Sequence, residues 1–203
     1  MGTPDFSVGT LRALVEAGYD VAGVVTQPDK PKGRGHSLSY TPVKEEALRH
    51  GLTVYQPSRV RDPEFIETLK ALCPDVIVVV AFGQIIPREI LDLAPYGCIN
   101  VHASLLPKYR GAAPIQWAVI DGEKESGVTI MRMDEGLDTG DMMAKAVVAL
   151  DPQETSGSLF EKLSQVGADL LVQTLKSMEE GKVACEKQPA ESPTPYARMI
   201  QKE

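Results

Sequence analysis

Asn100 and His102 lie two positions apart in the segment Gly97 to His102, and both carry side chains suited to acyl-transfer chemistry. If the segment is a strand, alternate side chains share one face, so the amide and the imidazole point the same way. An amide N–H and a protonated imidazole can both donate hydrogen bonds to a developing oxyanion. The pair suits an acyl transfer without a covalent enzyme intermediate. Cys98 lies on the same face, so a Cys98–His102 nucleophile pair remains an alternative.

A nearby carboxylate would orient an imidazole and stabilise its protonated form. Asp138, in the glycine-punctuated turn Asp134 to Gly140, is the first candidate for such a partner of His102. Asp134 and Asp141 are the rivals within the same segment. Taken alone, an Asn-x-His at the end of a strand is more often a hydrogen-bonded structural pair than a catalytic one.

Helices and strands alternate along the chain, which predicts a doubly wound, mostly parallel α/β sheet. Ligands of such sheets bind beyond the carboxyl ends of the strands, where His102 should lie. The predicted helices are Phe6 to Ala17, Pro42 to His50, Asp62 to Leu72, Pro87 to Leu93 and Ser158 to Met178. The predicted strands are Tyr19 to Thr26, Thr53 to Tyr55, Asp75 to Ala81, Gly97 to His102, Gly127 to Met133 and Met142 to Leu150.

Composition indicates an ordinary globular protein, with 203 residues, 43% hydrophobic and 24% charged. No apolar run is long enough to span a bilayer and no leader begins the chain, so we expect a cytoplasmic protein without a membrane contact. We also expect a monomer. The three cysteines are far apart, which predicts reduced thiols and no metal site. A net charge of −7 means that nucleic acid must meet a local basic surface. The segment Lys30 to His36 is such a surface.

Six segments together resemble the folate-dependent formyltransferase family, and within it the methionyl-tRNA branch. Asn100-x-His102 with the following Ser-Leu-Leu-Pro, and the later Leu-Asp-x-Gly, are shared by the wider family. Thr3 to Phe6, the loop Gly33 to Gly35 and Arg110 to Pro114 resemble the methionyl-tRNA branch. The six segments are Gly2 to Phe6, Thr26 to Asp29, Pro42 to Lys44, Asn100 to Pro107, Arg110 to Ile115 and Gly136 to Asp141.

The resemblance implies a Rossmann-like formyltransferase fold with 10-formyltetrahydrofolate as co-substrate and initiator Met-tRNA as acceptor. By resemblance, Asn100, His102 and Asp138 match the catalytic trio. The folate would contact two segments, through Phe82, Gly83 and Ile85 and through Ser104, Leu105, Leu106 and Pro107. The inserted loop with Lys30, Lys32 and Arg34 would bind the acceptor end of the tRNA.

Two departures from the family pattern concern the ends of the chain. The short apolar strand that opens the family is missing before Gly2, so Met1 to Pro4 is predicted to be a loop. We expect a catalytic domain over residues 1–187 and a linker over residues 188–203 towards an absent C-terminal barrel domain. The alternatives are another folate-dependent formyltransferase, a formyltetrahydrofolate hydrolase on the same fold, or an inactive tRNA-binding fragment.

Overall fold

The computed structural model describes residues 1–32 and 37–200. It divides into two compact units, Met1–Cys98 and Ile99–Glu203. The helices are α1 (Asp5–Glu16), α2 (Pro42–Arg49), α3 (Pro63–Ala71), α4 (Arg88–Leu91), α5 (Pro114–Ile120) and α6 (Ser156–Glu179). The strands are β1 (Val24–Val25), β2 (Lys30–Lys32), β3 (Ser37–Ser39), β4 (Val54–Tyr55), β5 (Ile77–Val79), β6 (Cys98–His102), β7 (Glu125–Arg132) and β8 (Met142–Ala149).

In the first unit, α1 and α2 share a core with strand β1. Leu11, Val24, Val43 and Ala47 form one buried apolar cluster there. Strand β1 pairs with β4 in the parallel direction, as the alternation of helices and strands predicts. Helix α2 begins at Pro42, and the Thr41 side chain caps it by accepting a hydrogen bond from the Lys44 N–H.

The first two residues take part in sheet-like pairing, although the sequence predicts a loop there. Gly2 forms a parallel bridge with Val80 and donates its N–H to the Val25 carbonyl over 3.0 Å. Val80 in turn donates to the Met1 carbonyl over 2.9 Å. Met1 and Gly2 therefore link the neighbourhood of β1 to that of β5.

The basic segment is also more regular than predicted. Strands β2 and β3 pair antiparallel, with Lys30 opposite Ser39. The predicted insertion is thus a hairpin rather than a loop. Residues 33–36, which connect the two strands in the sequence, lie outside the described residues.

The second unit contains the antiparallel strands β6, β7 and β8. Asn100 lies opposite Met131 and His102 opposite Thr129 in the pairing of β6 with β7. Helix α6 packs on this sheet at Gly167, because a Cβ atom there would lie 2.9 Å from a Val101 methyl group. A glycine therefore lets the helix approach the strands closely.

Predicted helices agree with the structure to within two residues at each end, whereas several strands are shorter than predicted. Tyr19 to Thr26, for example, contains only the two-residue strand β1. Helix α5 was not predicted. No helix among residues 1–32 and 37–200 is long and apolar enough to cross a membrane.

The predicted linker is described as far as Ile200 and hydrogen-bonds within the second unit. Ala197 donates its N–H to the Arg110 carbonyl over 2.7 Å, and its own carbonyl accepts from the Ala113 N–H over 2.9 Å. The boundary between a domain at 1–187 and a linker at 188–203 stays a prediction.

Candidate active site

The second unit brings His102 and Asp138 together although 36 positions separate them in the sequence. The His102 Nδ1 atom lies 3.7 Å from the Asp138 Oδ2 atom, and both side chains are largely buried. His102 is the last residue of β6, and the chain leaves the sheet directly after it. A histidine at the end of a strand is therefore held by the sheet on one side and by the following loop on the other.

The other ring nitrogen of His102 is bound by its own loop. Nε2 lies 3.1 Å from the Tyr109 carbonyl oxygen. A carbonyl oxygen can only accept, so this contact assigns a proton to Nε2. Nδ1 forms no hydrogen bond with the residues that the structure describes, and it is the ring atom left to exchange a proton.

Asp138 is held in an uncommon backbone conformation, with φ at 55°. Its Oδ2 atom accepts a hydrogen bond from the Gly111 N–H over 2.8 Å, which fixes the carboxylate in front of the imidazole. The rival Asp134 uses its carboxylate within its own turn, accepting from the Gly136 N–H and from the Thr139 hydroxyl group. Asp141 is exposed.

Asn100 lies two residues before His102 on β6, on the same face of the strand. Its side chain is half-buried. Within the described part of the chain the amide has no hydrogen-bond partner, so its N–H groups are available to a ligand. This availability is what a donor to an oxyanion requires.

The loop Ser104 to Pro107 turns several of its polar groups inward. The Ser104 hydroxyl donates to the Lys108 carbonyl over 2.6 Å, and the Leu106 N–H donates to the Thr129 hydroxyl over 3.0 Å. The Leu106 side chain packs in a buried cluster with Met131 and Met142. Of the four predicted folate contacts here, only Leu105 and Pro107 have partly exposed side chains. The bond Leu106–Pro107 is cis.

The second predicted folate segment, Phe82 to Ile85, belongs to the first unit. The Phe82 side chain is buried, and its carbonyl accepts from the Thr3 hydroxyl and from the Gln27 amide. Gly83 has φ at 81°, and Ile85 is 91% exposed. A ligand would therefore meet Ile85 and the backbone at Gly83 rather than the Phe82 ring.

The predicted tRNA-binding residues lie on the hairpin of the first unit. Lys30 is exposed on β2, and Lys32 ends that strand. Arg34 lies outside the described residues. The structure thus brings Lys30 and Lys32 onto one strand.

The structure opposes the alternative in which Cys98 acts as a nucleophile with His102. Cys98 is 1% exposed and donates its thiol hydrogen to the Ile90 carbonyl. Burial raises the pKa of the Cys98 thiol to about 12, so the thiolate is disfavoured. Four residues along one strand also separate the two Cα atoms by about 13 Å.

Sequence reasoning missed two buried polar residues beside the site, Arg110 and Gln188. The Arg110 guanidinium donates to the Gln188 side-chain oxygen from Nε over 3.0 Å and from Nη2 over 2.9 Å. Arg110 is 2% exposed, and its burial shows that it anchors its own loop. Its 78-residue separation from Gln188 left no local signal in the sequence.

No group of three or more metal-binding side chains occurs within the part of the chain that the structure describes.

The comparisons with known proteins agree with the fold and the motif. The family model described as Formyl transferase matches residues 1–175, so the chain belongs to the formyl transferase family. A methionyl-tRNA formyltransferase of Lachnospira eligens is 62% identical over 202 residues, which cover 100% of this chain and 64% of that relative. The chain thus spans less than two thirds of that relative's length.

Solved structures show the same fold at low identity. Glycinamide ribonucleotide transformylase 1 from Symbiobacterium toebii has a TM-score of 0.75 at 18% identity, covering 93% of this chain and 92% of that one. An N-formyltransferase from Helicobacter canadensis, in complex with folinic acid and dTDP-3-aminofucose, has a TM-score of 0.70 at 18% identity, covering 96% and 68%. The predicted α/β formyltransferase fold and the predicted resemblance are confirmed.

Proposed function

We propose that this chain transfers the formyl group of 10-formyltetrahydrofolate to the amino group of methionine on initiator tRNA. The observation that carries the proposal is the site itself, where an unengaged Asn100 amide lies on the same strand face as His102 and a carboxylate faces the imidazole at 3.7 Å. The 62% identity to a methionyl-tRNA formyltransferase across this chain supports the choice of acceptor. The complex of a structural neighbour with folinic acid, a formyl-tetrahydrofolate, supports the donor.

The chemistry follows from the available atoms. The uncharged amine attacks the formyl carbon, and the carbonyl oxygen takes up negative charge as the new C–N bond forms. The Asn100 amide donates a hydrogen bond to that oxygen. Nδ1 of His102 accepts the proton lost by the amine, and Asp138 stabilises the resulting imidazolium. The same proton then passes to the folate nitrogen as its bond to the formyl carbon breaks.

The tRNA would be held by the basic hairpin of the first unit. The exposed Lys30 and the neighbouring Lys32 and Arg34 are suited to phosphate contacts, which position a nucleic acid without reading its sequence. The overall charge of −7 makes such a local cluster necessary. Lys30→Ala is therefore expected to raise KM for Met-tRNA and to leave KM for the folate unchanged.

Transfer of labelled formyl from the folate to Met-tRNA tests the proposal. We expect Asn100→Ala to lower kcat by about 100- to 1,000-fold, because an oxyanion donor is lost, and His102→Ala to lower it at least as much. Gln173→Ala, an exposed amide on α6, is the matched control and should keep full activity. Loss of the formyl donor at the same rate without Met-tRNA would indicate the hydrolase instead. Transfer that survives both site substitutions would refute the proposed roles.

A further inference from the structure

The segment that follows α6 returns to the site and touches its loop by backbone contacts. Ala197 bridges Gly111, accepts from the Ala113 N–H over 2.9 Å and donates to the Arg110 carbonyl. Gly111 has φ at 117°, and a Cβ atom there would lie 2.9 Å from the Ala197 carbonyl oxygen. A glycine at this position therefore permits the close approach of the two backbones.

Gln188 is the buried side chain through which this returning segment reaches Asp138. Its amide nitrogen donates to the Asp138 carbonyl over 2.9 Å and to the Gly140 carbonyl over 2.7 Å. Its amide oxygen accepts from Arg110. The orientation of the amide is fixed by its partners, because a guanidinium only donates and backbone carbonyls only accept.

Arg110 fixes Gln188 in turn. Its side chain is 2% exposed and also donates to the Pro189 carbonyl over 2.8 Å and more weakly to the Ala190 carbonyl over 3.4 Å. No carboxylate forms an ion pair with it among the residues described. A buried guanidinium must have its donors satisfied, so Arg110 keeps the oxygen of Gln188 in place.

Asp138 is consequently held from two directions. The Gly111 N–H binds its carboxylate, and the Gln188 amide binds its main chain. Because φ at Asp138 is 55°, in the left-handed region, this conformation persists only where the surroundings impose it. We propose that Gln188, supported by Arg110, is a positioning residue that holds the Asp138 carboxylate against His102. This inference rests on the proposed function, and Gln188 itself touches neither substrate.

A simpler role for Gln188 would be to anchor the returning segment through Arg110 alone. Gln188→Glu separates the two roles, because a carboxylate still accepts from Arg110 but has no hydrogen to donate to the Asp138 and Gly140 carbonyls. If Gln188 only anchors the returning segment, Gln188→Glu should leave kcat unchanged. Positioning predicts a loss of kcat without a change in KM.

The experiment is a double-mutant cycle with Asp138→Asn, read as formyl transfer to Met-tRNA. We expect Gln188→Glu to lower kcat about 10- to 100-fold, because displacing a catalytic group by about 1 Å lowers the rate by up to about 100-fold. KM for both substrates should stay within about twofold of the starting value. In the Asp138→Asn background the same substitution should cause no further loss, because the two residues act as one unit. Gln173→Glu on the exposed face of α6 is the matched control.

Hydrogen exchange of the Gly111 N–H provides a measurement that does not require formyl transfer. In the starting protein the Gly111 N–H is protected by Asp138, and in Gln188→Glu we expect it to exchange at least about 10-fold faster. Should the starting protein fail to formylate Met-tRNA, the proposed function fails while faster exchange still supports positioning. The inference is overturned if Gln188→Glu leaves Gly111 exchange unchanged or leaves kcat unchanged. It is also overturned if Gln188→Glu lowers kcat equally in the Asp138→Asn background. If Gln188→Glu does not fold, Gln188→Asn, one methylene shorter, takes its place. The Asp138→Asn background then separates the roles, because lost anchoring lowers kcat equally in both backgrounds and lost positioning lowers it only where Asp138 is present.

Discussion

Two residues beside His102 adopt a left-handed backbone conformation that residues other than glycine rarely adopt. Tyr109 has φ at 56° and Asp138 has φ at 55°. Tyr109 is stabilised by the Thr194 hydroxyl, which accepts its N–H over 2.7 Å, and its own hydroxyl donates to Asp121 and Glu123. Burial, with these two carboxylates, raises the pKa of the Tyr109 hydroxyl well above its usual value. This conformation directs the Tyr109 carbonyl at Nε2 of His102.

Thr129 is the residue on which the turn after His102 depends. It is fully buried, accepts the Leu106 N–H over 3.0 Å and donates to the Ser104 carbonyl over 2.7 Å. Thr129→Val is expected to lower the free energy of unfolding by about 3 kcal/mol, because two buried backbone groups lose their partner. Urea denaturation measures the change. Thr129→Ser keeps the hydroxyl and should cost only about 1 kcal/mol, so equal losses in the two variants would contradict this account.

At the scale of elements, α1 and α2 are joined by one buried carboxylate. The Glu46 side chain is 3% exposed and pairs with Arg12 at 2.8 Å, with Arg49 at 3.0 Å and with His50 at 3.2 Å. The hydrogen bond from Arg12 is the largest cause that lowers the pKa of Glu46 from 4.5 to about 2. The ionised carboxylate is therefore favoured in the folded protein.

Stability should depend on pH through this group. Because the pKa of Glu46 is depressed on folding, its contribution is complete above pH 4.5 and is lost as the pH falls towards about 2. Glu46→Gln should lower the free energy of unfolding at pH 7 by up to about 3 kcal/mol, and the difference from the parent should vanish near the folded pKa. Denaturation curves at several pH values measure this. Glu45→Gln, exposed on the same helix, is the control, and a pH-independent difference for Glu46→Gln would count against the ion pairs.

At the scale of the whole molecule, the three cysteines report on the folded state. Cys73 and Cys185 are exposed, whereas Cys98 is buried at the first position of β6. None of them forms a disulfide in the structure. A thiol at the start of the strand that carries Asn100 and His102 becomes accessible only when this part of the fold opens.

A thiol reagent should therefore react in two phases with the native protein. We expect two thiols, Cys73 and Cys185, to react quickly at pH 8 and Cys98 to react only at the rate of unfolding, because burial raises its pKa to about 12. Absorbance of the released chromophore measures both phases. In denaturant all three should react together. Fast reaction of Cys98 in a variant with serine at positions 73 and 185 would contradict this expectation, because the Cys98 thiol would then be accessible in the folded protein.

Sequence patterns predicted those features of the fold that depend on residues close together in the chain. The helical spacing of apolar side chains located α1, α2, α3 and α6 to within two residues, since each buries one face of a regular helix. The alternation of a strand likewise put Asn100 and His102 on one face, and the segments around them indicated the family. The short helix α5 and the pairing of β2 with β3 escaped prediction.

Contacts between groups from distant parts of the chain became known only from the folded protein. Three aspartates in one turn look equivalent in the sequence, yet Asp138 alone faces His102, because Asp134 is used within the turn and Asp141 is exposed. Gln188 looked like part of a linker, yet its amide is buried between Arg110 and the Asp138 backbone. Local spacing fixes the face of a strand, but contacts between residues 50 or 78 positions apart depend on how the loops pack.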